Sequence, residues 1–223
     1  QMQMSLACFS YARQLALDQD VVLDKGIISL HYPEKQGRRQ KKMAVQEWPE
    51  DLVKAASAHQ LSQKANFEIQ TEGFIQSAGQ LIDPSKLTHQ LLDKSEVHTG
   101  ITITAISKKY GIWELETSNS RVYTATDIVL AMGSGLPQFL EQFCLPLLNL
   151  QVTSGQLSFL PRNTKLSTLE CSLQYGGYLT PMINGIQALG ASFDLSGTMQ
   201  LTKKAHLHNV SLLPTELQKL VPD

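Results

Sequence analysis

"DIVLAMGSG", residues 127–135, is an apolar run that ends in two glycines one residue apart. The run predicts a strand that delivers the chain to a tight turn, and in an α/β protein that is where a nucleotide sits. A dinucleotide fingerprint needs three glycines at GxGxxG spacing: for the turn, for close backbone approach to pyrophosphate, and for packing of helix on strand. Gly133 and Gly135 meet the first two requirements, but the third position holds Gln138. The acidic residue expected about 20 positions further on to hold a ribose is missing from "LQVTSGQLSF", residues 150–159. As a pyrophosphate loop the motif fails. Two readings stay open: an ordinary strand end before a helix, or a strand that returns to a cofactor whose fingerprint lies elsewhere.

Working outward, "GITITAISKKYGIWELETSNSRVYTATDIVLA", residues 100–131, holds three β-rich runs joined by short turns at 108–111 and 118–120. That predicts an antiparallel meander. Downstream, "LPQFLEQF" (136–143) predicts a short helix, and "LPLLNLQVTSGQLSFLP" (145–161) a long strand interrupted at Gly155. Residues 172–194 predict a strand pair turning at Asn184-Gly185, and a final helix starts at Pro214-Thr215. His206 and His208 alternate, which would put both on one strand face, but no third ligand stands near and no metal site is expected.

Upstream, residues 48–65, "WPEDLVKAASAHQLSQKA", predict a helix with Pro49 in its first turn. Residues 73–93 predict a strand followed by a helix that starts at Asp83-Pro84. "VVLDKGIISLHYP" (21–33) reads as a strand or a strand pair broken at Asp24-Lys25-Gly26. The first residues show helical periodicity, with Met4, Ala7, Cys8, Tyr11 and Leu15 on one face. Between these elements runs a basic stretch containing Lys35, Arg38, Arg39, Lys41 and Lys42, a solvated turn or a contact for RNA phosphates.

The 223 residues suffice for a substantial core. A net charge of −1 excludes a surface built as a whole to attract nucleic acid. Three scattered cysteines, Cys8, Cys144 and Cys171, argue against a disulfide framework or a Cys-rich zinc site and suit a reducing cytoplasm. No apolar stretch approaches the ~20 residues that span a bilayer, so no membrane partner is expected.

In this colinear order, "GIWELETSNSRVYTAT" (111–126), "VLAMG" (129–133), "SGQLSFLP" (154–161), "YGGYLTP" (175–181) and "GAS" (190–192) resemble the family of FAD-dependent amine oxidases. That family includes D-amino-acid oxidases, glycine oxidase and D-amino-acid dehydrogenases. Within it the chain looks most like the oxidase half of a bifunctional enzyme that modifies wobble uridines in tRNA. Where those enzymes commonly carry Gly-Gly-Trp, this chain has Ala78-Gly79-Gln80.

The resemblance implies a mixed α+β chain: an antiparallel substrate-domain sheet plus part of an FAD-binding domain. On that basis residues 1–72 and 136–223 are expected in the substrate domain and 73–135 in the FAD-binding domain, as one continuous fragment from the middle of a longer protein. The pyrophosphate loop would precede residue 1, and a flavin-closing segment would follow residue 223. The implied chemistry is oxidation of a C–H bond beside nitrogen, with FAD as acceptor, and hydrolysis of the resulting imine. For the tRNA enzyme this converts 5-carboxymethylaminomethyl-uridine to 5-aminomethyl-uridine and releases glyoxylate. The implied partners are tRNA and a methyltransferase domain in the same chain. A small free amine as substrate, and a non-enzymatic folding or partner-binding fragment, are the competing readings.

The resemblance further implies cofactor contacts at Ile103, Ala131, Met132, Gly133 and Gly135, and substrate contacts at Gln156, Tyr178 and Thr180. Each has a structural alternative. Ile103 would be a core strand residue, Gly135 a turn glycine, Tyr178 a packed strand aromatic and Gln156 a solvent-facing amide. No catalytic residue is assigned. The carboxylate anchor usual for such substrates is a bidentate arginine, and none of the five arginines lies in a motif expected over the flavin.

Overall fold

The computed structural model describes residues 2–15, 21–31, 48–146, 148–162, 165–195 and 200–221. The basic stretch at 35–42 lies outside the described residues. The chain divides into two compact units: residues 1–91, 154–194 and 198–223 form one, residues 92–153 and 195–197 the other.

The larger unit is built on a seven-stranded sheet. Its strands are β1 (Val22–Leu30), β2 (Lys54–Ala56), β3 (Gly73–Ile82), β7 (Ser158–Leu160), β8 (Ser172–Gln174), β9 (Tyr178–Leu179) and β10 (Gln187–Gly190). Their spatial order is β2-β3-β1-β8-β9-β10-β7. The β1–β8 pair is parallel and the other pairs are antiparallel. Gly26, at φ +90°, sits in a register shift of β1. A positive φ there costs glycine nothing, so the expected break is a bulge within one continuous strand.

One face of this sheet forms the core. Ile28, Leu30, Leu160, Leu173, Leu179 and Leu189 alternate inward and are buried with Leu61 and Ala65 of helix α2 (Ala58–Ala65) and Leu217 of helix α6 (Thr215–Gln218). Gln187 is fully buried among them and donates from Nε2 to Leu166 O (3.0 Å) and Thr180 O (2.9 Å). Among the described residues its Oε1 has no hydrogen-bond partner, and neither do Ser172 Oγ and Asn209 Oδ1.

Helix α2 corrects the expectation of one helix over 48–65. Residues 49–53 form a turn in which Leu52 N donates to Pro49 O at 2.9 Å, and Lys54–Ala56 pairs with β3. The helix starts at the stronger signal, a capping box in which Ser57 N donates to Gln60 Oε1 (2.9 Å) and Gln60 N to Ser57 Oγ (3.4 Å). At the N-terminus, α1 (Met2–Leu15) is helical as expected, yet Met4, Ala7, Cys8 and Tyr11 of its apolar face are exposed. Helix α3 (Pro84–Leu92) starts where expected, its first turn capped by Asp83 Oδ1, which accepts from Ser85 N at 2.9 Å.

Among the described residues, the expected long strand at 145–161 is present only as Ser158–Leu160 and an isolated bridge between Ser154 and Asp194. The strand pair at 172–194 is three short strands, with Asn184 (φ 51°) and Gly185 (φ 80°) at the turn. The histidine pair is corrected outright. His206 and His208 belong to helix α5 (Lys203–Leu212), where residues two apart do not share a face. Thr202 caps this helix, its hydroxyl accepting from Ala205 N at 3.1 Å. Among the described residues no group of His, Cys, Asp or Glu is arranged to hold a metal, and no helix is long and apolar enough to cross a membrane.

The smaller unit holds the expected meander, β4 (Ile103–Lys109), β5 (Ile112–Thr117) and β6 (Val122–Ala125), antiparallel in that order. Tyr110 (φ 51°) and Gly111 (φ 86°) form the first turn. The opening motif departs from expectation. Residues 127–132 form no strand, and the chain enters a 3-10 turn at Gly133–Gly135 and then helix α4 (Leu136–Gln142). A β-strand is defined by its hydrogen-bonded neighbour, and among the described residues none pairs with this run. Val129 in its centre is 87% exposed, the reverse of what an apolar strand residue requires.

Candidate functional site

The second face of the seven-stranded sheet carries the candidate site. Strand register places Phe74, Ser29, Gln174, Tyr178 and Gly190 in one row across five strands: Ser29 is paired with Phe74 and Gln174, Gln174 with Tyr178, and Tyr178 with Gly190. Because side chains alternate along a strand, the inward neighbours of this row, Ile28, Leu173, Leu179 and Leu189, are the core residues. The row itself lies on the other face, buried at Phe74 and open at Gln174.

Three polar side chains on this face are linked. Gln76 Nε2 donates to Ser29 Oγ at 2.6 Å, and the Ser29 hydroxyl donates to Gln174 Oε1 at 3.2 Å. Ser29 and Gln76 are half-buried and Gln174 is exposed. Beyond them, the half-buried Tyr178 ring lies over Gly190. A Cβ on Gly190 would come within 3.0 Å of Tyr178 Cζ and Oη and 2.6 Å of Leu157 Cδ2. Glycine is therefore required for the ring to lie there. Behind it, Gly177 approaches the neighbouring strand so closely that a Cβ would stand 2.5 Å from Gly190 O. The "YGGY" sequence is thus a tight β8–β9 turn, closed by Tyr175 N donating to Gly177 O (3.1 Å) and Tyr175 Oη to Tyr178 O (3.1 Å). Burial raises the Tyr178 phenol above its usual value of 10.0, so at neutral pH it is a hydrogen-bond donor.

The other expected substrate residues occupy different surroundings. Thr180 is buried, with Oγ1 accepting from Ala188 N at 2.9 Å, which fastens β9 to β10. Both ends of the Gln156 side-chain amide are engaged with Thr202: Nε2 donates to Thr202 O (3.1 Å), and Oε1 accepts from Thr202 N (2.8 Å). The Gln156 carbonyl accepts from Asn209 Nδ2 at 2.8 Å, and Ser158 Oγ is 2.8 Å from His206 Nδ1. Gln156 thus anchors the cap of α5.

The expected cofactor residues all lie in the smaller unit. Ile103 is half-buried at the start of β4, opposite Thr117. Ala131, Met132 and Gly133 are exposed, and Gly135 is half-buried at the start of α4. Gly133 has φ +55°, and no heavy atom lies within 4 Å of a Cβ built on it or on Gly135. The backbone here is open to close approach.

Sequence reasoning overlooked Ser29, Gln76 and Gln174. Their signal was present as polar residues at alternate positions in otherwise apolar strands, but only the register shows that they meet.

Three comparisons extend these observations. The family model described as "DAO: FAD dependent oxidoreductase" matches residues 1–223. The tRNA 5-methylaminomethyl-2-thiouridine biosynthesis bifunctional proteins MnmC of Shewanella sp. strains MR-7 and ANA-3 are each 30% identical to this chain over 175 residues, 75% of its length. The chain spans about a quarter of those relatives, 24% and 25%. Among solved structures, glycine oxidase from Geobacillus kaustophilus superposes on the whole chain (TM-score 0.67, 14% identity). L-proline dehydrogenase from P. horikoshii matches 96% of it (TM-score 0.74, 12% identity), and the chain covers 62% of each of these two proteins. These likenesses give the fold, and the match along the full length gives the family. The chain belongs to the FAD-dependent oxidoreductase family of D-amino-acid-oxidase type.

Proposed function

We propose that this chain is part of the oxidase half of a tRNA-modifying enzyme like MnmC, acting in the cytoplasm on the wobble uridine. The reaction is oxidative C–N cleavage of 5-carboxymethylaminomethyl(-2-thio)uridine to 5-aminomethyl(-2-thio)uridine. The observation that carries this reading is the 30% identity to MnmC proteins over three quarters of the chain. Those relatives are named bifunctional, and a methyltransferase domain in the same protein belongs to the proposal.

The residues present fit one wall of a flavin site. Gly133 combines a positive φ, an exposed backbone and open space on its Cβ side, so a planar ring or a ribose can approach without a side chain in the way. Ala131, Met132 and Gly135 extend that wall, with Ile103 on the neighbouring meander. The phosphate cradle is assigned to another part of the protein, because GxGxxG is not met at 133–138. When bound, FAD supplies the oxidising equivalent for the C–H bond beside the substrate nitrogen.

On the sheet unit, the open face is the substrate side. The Tyr178 phenol donates a hydrogen bond to a substrate oxygen, and Gly190 leaves room for its ring. Gln156 and Thr180 act by holding β7, β9 and the start of α5 in place. Residues 127–135 serve the cofactor and the seven-stranded sheet the substrate.

The test is to incubate the FAD-loaded full-length protein with tRNA carrying the carboxymethylaminomethyl group and to measure nucleosides and glyoxylate by mass spectrometry. The reading expects equal amounts of aminomethyl product and glyoxylate. Turnover of glycine or a D-amino acid with no change in the tRNA would replace it by a small-amine oxidase. Turnover of neither would leave the non-enzymatic reading.

A further inference from the structure

The proposal above leaves open how the substrate's ring is recognised, and the polar row on the open sheet face bears on it. Gln76, Ser29 and Gln174 form a relay with a defined direction. The Gln76 amide donates to Ser29 at 2.6 Å, which leaves the Ser29 proton for Gln174 Oε1 at 3.2 Å. The relay thereby fixes which way the exposed Gln174 carboxamide is turned. Oε1 keeps one lone pair, and the two Nε2 protons have no protein partner among the described residues. A carboxamide held in this way offers a donor and an acceptor side by side.

Two further features narrow the ligand. The row of Phe74, Ser29, Gln174, Tyr178 and Gly190, with Gln76 beside it, contains no Lys, Arg, Asp or Glu. A carboxylate or phosphate placed against Gln174 would meet the Oε1 dipole without a compensating cation. A neutral group with an N–H next to a C=O fits both sides of the amide at once. The second feature is the chemistry of an unstacked base, which proteins read by hydrogen bonds to its Watson–Crick edge. In a uracil-type ring that edge presents an N–H beside a carbonyl, the complement of a carboxamide's acceptor and donor.

We infer that Gln174, oriented by Ser29 and Gln76, binds the imide edge of a uracil-type ring, N3–H to Oε1 and a ring carbonyl to Nε2. The inference rests on the reading that the substrate is a modified uridine and assigns the residues that recognise its base. Gln174 is a specificity residue, and Ser29 and Gln76 are positioning residues that act through it.

The test uses the FAD-loaded full-length protein and two probes, uridine and 3-methyluridine, in ligand-observed NMR titrations. The methyl group removes the imide donor and leaves the ring otherwise alike. The expected result is uridine binding about tenfold tighter than 3-methyluridine, in line with the discrimination a bidentate base contact provides. In Gln174→Met the ratio falls to about one, and Ser29→Ala gives an intermediate ratio. Gln174 is exposed, so the Met variant keeps the fold, checked by an unchanged flavin spectrum. Equal binding of the two probes, no uridine binding at millimolar concentration, or an unchanged ratio in Gln174→Met would each overturn the inference. A protein that takes up no FAD or leaves tRNA unchanged counts instead against the proposed function, because the nucleoside titrations are read without turnover.

Discussion

The two units of this chain are stabilised in different ways. The seven-stranded sheet has one face sealed by a core in which Ile28, Leu61, Leu173, Leu179 and Leu189 are completely buried. In the smaller unit the meander strands are half-buried at best, apart from Thr117, and the apolar run at 127–132 pairs with nothing described. Hydrophobic burial therefore fixes the first unit. In the second, the buried hydrophobic side chains among the described residues are Phe139 and Leu140 of α4, and the meander carries exposed pairs such as Lys109 Nζ with Glu114 Oε2 at 2.9 Å and Lys108 Nζ over the Trp113 ring at 4.9 Å. Surface pairs of this kind contribute little. Burial is concentrated in the sheet unit, and open backbone at the turn around Gly133.

The sharpest way to test that contrast is to truncate the core. Leu173→Ala removes a fully buried side chain between β1 and β9 and should cost about 2–5 kcal/mol in urea denaturation. A loss below 1 kcal/mol would mean that the sheet core is not the main source of stability. The same core holds Cys171, whose thiol burial pushes up to about 12 from 9.0. Its folded value lies above the unfolded one, so the stability it contributes is present below pH 9 and is lost as pH rises toward 12. Cys171→Ala should flatten the alkaline limb of a stability–pH profile, and an unchanged limb would remove the thiol from the account.

Gly177→Ala puts a methyl group against the Gly190 carbonyl, a backbone atom that cannot turn aside. A cost of about 1–3 kcal/mol is expected, with altered Tyr178 fluorescence. Thr202→Ala removes the cap of α5 and should cost about 1 kcal/mol by thermal denaturation. At the small end, Val122→Thr in the exposed meander should change stability by less than about 0.5 kcal/mol. A larger effect would show that the meander buries a core of its own.

The legibility of the sequence follows the same division. The meander, the Asn184-Gly185 turn and the Asp83-Pro84 helix start were readable because each is set by local chemistry: alternation, a positive-φ turn pair, a cap. Residues 54–56 were misread as helix because a three-residue edge strand has no periodicity, and the apolar composition of Val53 and Ala55–Ala56 suits either state. Residues 127–132 were misread as strand because sequence shows apolar character and not whether a partner exists. The helix at Lys203–Leu212 was missed although Thr202 marks its start, since it buries only Asn209 and lacks an apolar stripe. The glycine turn and Tyr178 were legible as motifs. The relay through Ser29 was not, because Ser29 and Gln174 are 145 residues apart and meet only through the parallel β1–β8 register.

Whether the turn at Gly133 forms part of a flavin site is decided by titrating FAD into the full-length protein and its Gly133→Val counterpart, followed by flavin fluorescence. One FAD bound per chain is expected in the parent. Binding at least tenfold weaker is expected in the variant, because valine is strained at φ +55° and places a side chain in the open space. Equal affinity in the two proteins, or no FAD binding by the parent, would contradict a flavin site at this turn.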